Sequence, residues 1–259
     1  MPAPTLVAKL KAGPLITSWN IWPEPLLAEV AARSGFDCVT VDMQHGLHDP
    51  VSVMRAIGAV ALAGKPAIVR VPVGDFAMAS RALDMGAEAV IAPMINTAEE
   101  AKAFVAAMKY PPVGERSWGP LRAQTLFEID PPTQLRIANQ TTLALAMVET
   151  KRALEQLDAI LAVDGLDGIF VGPSDLSVTL SGGKSVAPGD PLLDGPIRLI
   201  AERTIAAGKI AGAFAWGGGR VKFFRDLGYR LIALATDHAY ITTGIKTMLN
   251  DLGPEVQRT

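Results

Sequence analysis

The sequence predicts a single (β/α)8 (TIM) barrel domain over residues 1–259, and three observations support this prediction. Short apolar runs alternate with amphipathic helical stretches along the chain. Eight such runs occur, the number of strands in a barrel of this class. A glycine also stands two or three residues before six of the runs, where a helix must end in a left-handed residue before the chain enters a strand: Gly35, Gly64, Gly86, Gly165, Gly208 and Gly228.

The predicted strands are mostly continuous apolar runs, as expected of parallel strands that are buried on both faces. In chain order they are Leu15–Trp19, Cys38–Asp42, Ala67–Val71, Ala89–Ala92, Leu143–Glu149, Gly168–Gly172, Ile210–Ala215 and Leu231–Thr236. The alternative fold is an open doubly wound sheet, but no GxGxxG motif follows the first strand.

Helical patterns separate the strands. After Thr150, which is a suitable N-cap residue, leucines recur at helical spacing. We expect a short helix over residues 4–12 to close the bottom of the barrel. Residues 110–140 are too many for a plain loop and include a helical piece near Gln134–Asn139, so this segment is a candidate for a subunit interface or an active-site wall.

Composition excludes several classes of function. The net charge of −2 indicates no nucleic-acid or membrane-surface partner. Cys38 is the only cysteine, which excludes an internal disulfide and a cysteine-rich metal site. The N-terminus lacks the apolar core of a signal peptide, and no apolar run approaches the roughly 18–20 residues of a membrane span. We therefore expect a cytoplasmic protein.

Polar residues lie where the predicted strands end, which is where barrel enzymes carry their chemistry. Asp42 and Glu149 end two of the predicted strands, and Arg70 lies near the end of a third. His45 follows Asp42 closely, and the sixth strand runs into the turn 172–175. Apolar strands need no such residues for stability, and an unpaired buried charge costs several kcal/mol. These side chains are therefore predicted to form a functional site.

Glu149 and Asp175 come from neighbouring strands and offer two hard oxygen ligands. Two carboxylates with open coordination positions suit Mg²⁺, Mn²⁺ or Co²⁺ better than structural zinc. The alternative is that both carboxylates pair with Arg70 or cap helices. The turn from Gly172 through Pro173 to Ser174 at a helix N-terminus is a candidate seat for a substrate carboxylate. The backbone N–H groups of Gly172 and Ser174 would donate to it, since proline has no N–H.

Arg70 ends an otherwise apolar strand, so its guanidinium is predicted to hold a carboxylate or to stabilise an enolate oxygen. The alternative is a structural ion pair with Glu149 or Asp42. His45 lies three residues after Asp42, and a histidine oriented by a carboxylate is a common general acid–base pair. The alternative for His45 is a loop histidine bonded to backbone. His48 and His238 are expected to be exposed.

The motifs around these residues resemble those of the HpcH/HpaI aldolase family, the metal-dependent class II pyruvate aldolases. The matching stretches occur in the family's order and lie between Gly35 and His238. They are Gly35–Asp37 with Val41–His45, Val69–Pro72, Tyr110–Pro112 with Gly114 and Arg116, Val148–Lys151, and Gly168–Leu176.

The resemblance implies a role for each matching residue. Glu149 and Asp175 would bind the metal, Arg70 would stabilise the enolate, and His45 would handle the proton on the aldehyde or alcohol oxygen. Asp42 matches the family's aspartate close to that histidine.

A second aspartate and the assembly are also implied. Asp84 matches a family aspartate thought to reach a neighbouring subunit's histidine, and the family commonly forms hexamers. Two departures from the family pattern are Gln44, where many members have glutamate, and Met147, where well-known members have glutamine. Trp19, Met147 and Trp216 are expected to line the substrate pocket.

The resulting hypothesis is reversible aldol cleavage of a 4-hydroxy-2-oxo acid. Pyruvate or hydroxypyruvate is the donor, chelated to the metal through its carboxylate and oxo oxygens, and an aldehyde is the acceptor. Three alternatives remain: a Schiff-base aldolase using Lys151, an acyl-CoA lyase of the citryl or malyl type, and a catalytically silent barrel that acts as a binding protein.

Overall fold

A computed structural model describes residues 6–251, which form a closed barrel of eight parallel strands. Each strand pairs with the next along the chain, and β8 returns to pair with β1. The strands are β1 Leu15–Asn20, β2 Cys38–Asp42, β3 Ala67–Arg70, β4 Ala89–Ala92, β5 Leu143–Val148, β6 Gly168–Val171, β7 Ile210–Ala215 and β8 Leu231–Leu234. The predicted (β/α)8 barrel is confirmed, and the open sheet is wrong.

The helices lie between the strands, with additional helices before β1 and before β5. They are α1 Leu6–Ala12, α2 Pro25–Arg33, α3 Pro50–Leu62, α4 Phe76–Met85, α5 Ala98–Met108, α6 Leu121–Phe127, α7 Pro131–Thr141, α8 Lys151–Glu155, α9 Leu157–Leu161, α10 Pro173–Leu180, α11 Asp194–Ala206, α12 Gly218–Asp226 and α13 Asp237–Asn250. Between residues 6 and 251, no helix combines the length and the apolar character needed to cross a membrane.

The strand ends differ from the prediction in a way that matters for the site. The predicted third, fifth, sixth and eighth strands each run one or two residues too far. Glu149 and Gly172 are therefore the first residues after β5 and β6, and Gly172 is already the N-cap of α10. The six glycines that were predicted to end helices all have positive φ, as expected.

The core has two parts that meet at the strands. One packs the outward side chains of the strands against the helices, and the other fills the barrel. Leu6 and Leu10 of α1 are buried with the side chains that fill the barrel, such as Leu145 and Leu231. The predicted helix at the barrel bottom is confirmed for residues 6–12, whereas residues 4 and 5 lie outside the described residues.

The long segment before β5 forms α6 and α7, and the helical piece expected near Gln134–Asn139 lies within α7. Helix α6 packs against α4, with Leu126 above Gly86. The buried Lys109 ties the end of α7 to the loop before β6, because its Nζ donates to Thr142 O and pairs with Asp167.

Glu88 is a buried carboxylate that fastens α1 to the bottom of the barrel. Its Oε2 accepts a hydrogen bond from the Leu6 N–H at 2.6 Å. Burial raises the pKa of Glu88 to about 7, although the Leu6 bond and the charge of Lys9 act in the opposite direction. Between pH 4.5 and 7 the folded chain therefore keeps a proton that the unfolded chain releases, so stability falls as pH rises.

We expect Glu88→Gln to remove this fall in stability with rising pH, because the glutamine amide oxygen still accepts a hydrogen bond from the Leu6 N–H but carries no charge. Urea unfolding at pH 5, 6, 7 and 8 should show the wild type losing roughly 2 kcal/mol more than the variant across that range. Glu202→Gln, a change at an exposed position on α11, is the matched control. Parallel stability curves for wild type and Glu88→Gln would contradict this role.

Candidate active site

Asp42 and Arg70 form a buried ion pair at the carboxyl ends of β2 and β3. The two residues are partners in the strand register, which places their side chains side by side. Arg70 donates from Nε to Oδ1 at 2.8 Å and from Nη2 to Oδ2 at 2.6 Å. Trp19 adds a hydrogen bond from Nε1 to Asp42 Oδ2, and its ring lies 4.9 Å from the guanidinium. The arginine is therefore fixed on one edge.

This pairing lowers the pKa of Asp42. Burial raises the pKa of Asp42, but the hydrogen bonds and charge of Arg70, with the Trp19 bond, lower it below its usual value. Arg70 Nη1 takes no part in the pairing, and its contact is with Met147 Sδ at 4.0 Å. One N–H edge of a rigid guanidinium is thus left for a ligand.

Glu149 directly follows β5, and its two carboxylate oxygens differ in hydrogen bonding. Its side chain is buried, and Oε1 accepts from the Met94 N–H at 2.8 Å. Oε2 is buried without a hydrogen-bond partner among the described residues. Burial raises the pKa of Glu149 to about 7, and the charge of Asp175 raises it further, while the Met94 bond and Arg70 lower it. A buried carboxylate oxygen without a partner is costly unless a cation compensates it.

Gly172 leaves room for that oxygen. A Cβ at this position would lie 2.2 Å from Glu149 Oε2 and 2.8 Å from Met147 Cε, so no other residue fits without a shift. Gly172 is the N-cap of α10, and Asp175 lies exposed in the first turn of that helix. Glu149 Oε2 therefore lies against the N-terminus of a helix that carries a second carboxylate.

The donor set fits a divalent cation that binds oxygen. Glu149 offers an oxygen with no other partner, and Asp175 is close enough for its charge to act on Glu149. Residues 6–251 contain no cluster of three or more histidine, cysteine, aspartate or glutamate side chains that suits a metal. Two carboxylates leave most coordination positions to water and substrate, which is typical of Mg²⁺ and Mn²⁺ sites in enzymes.

His45 lies exposed in the loop after β2. Asp42 Oδ1 accepts from the backbone N–H groups of Gln44 at 2.9 Å and His45 at 3.4 Å. The predicted contact between Asp42 and the His45 imidazole is absent from the bonds of the described chain, because Arg70 and Trp19 already occupy the carboxylate. Gly46 lets this loop turn tightly, since a Cβ there would lie 2.1 Å from Asp42 O.

The prediction that His48 is exposed was wrong. His48 is buried, its Nδ1 lies 3.1 Å from Ser52 Oγ, and burial lowers its pKa. The cause is α3, whose capping box of Asp49 and Ser52 draws the preceding residue inward. His238 is exposed, as expected.

Asp84 does not join the other predicted residues. It lies on α4 and accepts from Arg116 Nη2 at 2.6 Å, and the Arg116 guanidinium lies 4.6 Å from the centre of the Tyr110 ring. These contacts involve α4 and the segment after α5, on the outer layer of the barrel. The structure thus brings together Asp42, Arg70, Glu149 and Asp175, with Asp84 elsewhere.

Aromatic side chains line the barrel mouth next to the ion pair. The Trp19 ring lies 5.6 Å from that of Phe170 and 5.4 Å from that of Phe214, and Phe214 lies 4.9 Å from Trp216. Trp19 is buried, whereas Trp216 is half exposed just after β7. Of the three residues predicted to line the substrate pocket, Trp19 and Met147 contact Arg70, and Trp216 contacts Phe214 nearer to solvent.

Comparisons with known proteins agree with this geometry. The family model for HpcH/HpaI aldolase/citrate lyase matches residues 18–242. The chain belongs to this family. It is 36% identical over 238 residues to the hydroxypyruvate/pyruvate aldolase of Rhizorhabdus wittichii, covering 92% of this chain and 94% of the relative. It is 37% identical over 245 residues to the 4-hydroxy-2-oxovalerate aldolase of Novosphingobium aromaticivorans, covering 91% and 89%.

A solved structure supports the same family fold. The crystal structure of an HpcH/HpaI aldolase/citrate lyase family protein from Burkholderia cenocepacia superimposes with a TM-score of 0.85 at 27% identity, covering 95% of this chain and 98% of the other. The residues between 18 and 242 include Asp42, Arg70, Glu149 and Asp175. The part of the chain that matches the family model therefore includes all four of these residues.

We expect Gly172→Ala to weaken Mn²⁺ binding at least roughly tenfold, because its methyl group would occupy the space of Glu149 Oε2. The measurement is titration of metal-free protein with Mn²⁺, following free Mn²⁺ by electron paramagnetic resonance. Gly244→Ala is the matched control, since a Cβ on that glycine meets no atom within 4 Å. Equal affinity for Gly172→Ala and wild type would show that the cation does not use this oxygen.

Proposed function

We propose that this chain is a metal-dependent class II aldolase, a carbon–carbon lyase that cleaves and forms 4-hydroxy-2-oxo acids. Pyruvate or hydroxypyruvate would be the donor and an aldehyde the acceptor. The observation that carries the proposal is the unpartnered Oε2 of Glu149, which faces Gly172 and lies within the field of Asp175. The names of the two aldolase relatives support the same chemistry.

Glu149 and Asp175 would hold the cation, which we propose to be Mg²⁺, Mn²⁺ or Co²⁺. When bound, such a cation supplies Lewis-acid polarisation of the 2-oxo group and so makes the C3 protons more acidic. The N-terminal turn of α10, from Gly172 through Pro173 to Ser174, would receive the substrate carboxylate at its free N–H groups.

Arg70 would stabilise the negative charge that develops on the oxo oxygen. Its Nη1 is the donor left over from the Asp42 pair, and Asp42 and Trp19 hold the guanidinium before substrate arrives. A donor that is already oriented needs no reorganisation in the transition state, which is the main source of electrostatic catalysis.

His45 would move the proton on the substrate's C4 oxygen. In the cleavage direction this group takes the hydroxyl proton, the C3–C4 bond breaks, the aldehyde leaves and the enolate is protonated at C3. His45 is exposed and its imidazole has no partner within residues 6–251, so a group from a neighbouring subunit would have to orient it. We propose a homo-oligomer, a hexamer, in which Asp84 of another copy orients the His45 imidazole. We also propose a cytoplasmic location.

Three other functions make different predictions. A Schiff-base aldolase would be trapped on Lys151 by borohydride with pyruvate, but Lys151 is exposed at the start of α8. An acyl-CoA lyase would cleave malyl-CoA. A silent barrel would bind no metal and turn over no substrate.

The direct test is cleavage of a 4-hydroxy-2-oxo acid, followed by reducing the released pyruvate with lactate dehydrogenase and NADH. Activity should vanish after EDTA treatment and dialysis and return with Mn²⁺, Mg²⁺ or Co²⁺. Unchanged activity after verified metal removal, or borohydride trapping of pyruvate, would contradict a class II mechanism.

We expect Arg70→Lys to lower kcat by roughly 10²–10³-fold, although the charge is kept, because an ammonium cannot bond both oxygens of Asp42 and also reach the substrate. The coupled pyruvate assay measures this. Arg220→Lys is a close control, since Arg220 also pairs with an aspartate, Asp194, and stacks on an aromatic ring, that of Phe223. A variant Arg70→Lys with near-normal kcat would overturn the assigned role.

A further inference from the structure

The turn that follows β4 carries no charged side chain, so nothing in its sequence marks it as functional. Met94 in this turn has φ of 57°, in the left-handed region that side-chain-bearing residues rarely adopt. Its N–H donates to Glu149 Oε1 at 2.8 Å. The residue with this rare backbone conformation, Met94, is therefore the one whose N–H binds the proposed metal ligand Glu149.

The Asn96 side chain hydrogen-bonds both to Met94 and to Thr150. Its Nδ2 donates to Met94 O at 2.7 Å. Its Oδ1 accepts from the hydroxyl of Thr150, the residue that directly follows Glu149. One amide side chain therefore links the turn after β4 to the chain at Glu149.

The surrounding backbone supports the same arrangement. The Ile95 N–H donates to Met147 O on β5 at 3.2 Å, which ties the turn to the strand that Glu149 directly follows. Thr150 also caps α8, because its Oγ1 accepts from the Ala153 N–H. The turn, the end of β5 and the start of α8 are thus one bonded unit, with Asn96 between them.

We propose that Asn96 is a positioning residue for the cation site. It keeps Met94 left-handed, so that the Met94 N–H occupies Oε1 of Glu149 and only Oε2 faces Gly172 for the cation. Without the amide, Met94 relaxes to a negative φ, its N–H turns away, and the Glu149 carboxylate rotates. This inference rests on the proposed function, because it assumes that Glu149 binds the metal.

A purely structural role for Asn96 gives a different expectation. In that case its loss lowers the thermal stability of the chain and leaves metal affinity unchanged. The two roles are separated by measuring Mn²⁺ affinity in metal-free protein without substrate, alongside the melting temperature of the same preparation.

The experiment compares Asn96→Ala and Asn96→Asp with wild type by Mn²⁺ titration. Asn96→Asp keeps the size of the side chain and an acceptor for Thr150 but loses the donor to Met94. Both variants should raise the Kd for Mn²⁺ roughly 10–100-fold. Asn139→Ala is the matched control, because the Asn139 amide also donates to a backbone carbonyl and accepts one hydrogen bond, in its case from the O and N–H of Tyr110, away from the site.

Rescue by glycine gives the decisive result. Glycine adopts the left-handed region without side-chain support, so adding Met94→Gly to Asn96→Asp should restore most of the Mn²⁺ affinity. Unchanged affinity in both Asn96 variants, or no rescue by Met94→Gly, would overturn the inference.

The controls separate this inference from the proposed function. Wild type that binds Mn²⁺ and loses it in Glu149→Gln, with normal binding in the Asn96 variants, refutes only the role of Asn96. Wild type that binds no Mn²⁺ refutes the proposed function itself, and this inference with it.

Discussion

The proposed cation site depends on one unsatisfied group, the Oε2 atom of Glu149. A carboxylate oxygen buried at the end of an apolar strand loses its hydration, and no donor within residues 6–251 replaces it. Burial consequently raises the pKa of Glu149 to about 7. Gly172 makes room for this oxygen, because a Cβ there would lie 2.2 Å from it. A buried carboxylate oxygen without a hydrogen-bond partner is costly unless a cation compensates it.

The ion pair of Asp42 and Arg70 shows the opposite arrangement a few strands away. Here the carboxylate is fully engaged by Arg70, Trp19 and loop N–H groups, which holds its pKa below the usual range. The pair orients the guanidinium and leaves Nη1 in contact with Met147 Sδ at 4.0 Å. The barrel thus carries one carboxylate, Glu149, with an oxygen free to bind a cation, and a second, Asp42, whose oxygens are hydrogen-bonded and which orients Arg70. Their different surroundings follow from which strand end each residue occupies.

Much of the fold was predictable, because strand periodicity and glycine stops are local signals. The predicted strand ends were less accurate, since Val71, Gly172 and Ala235, which follow three of the strands, are as apolar or small as the residues within them. Asp42, Arg70 and Glu149 were found as polar residues ending apolar strands. Asp42 was expected to orient His45, because the two residues are close in sequence, and its pairing with Arg70 was only the alternative. The strand register places Arg70 beside Asp42. The Met94–Asn96 turn gave no signal, since its role lies in backbone conformation.

The central claim is that this site enolises a 2-oxo acid with the help of a divalent cation. Proton NMR of pyruvate in D2O with the purified protein tests this without knowledge of the aldehyde. The account predicts that the methyl signal disappears by deuterium exchange, that EDTA stops the exchange, and that Mn²⁺, Mg²⁺ or Co²⁺ restores it. Absence of exchange with every one of these metals, for both pyruvate and the C3 protons of hydroxypyruvate, would contradict the account.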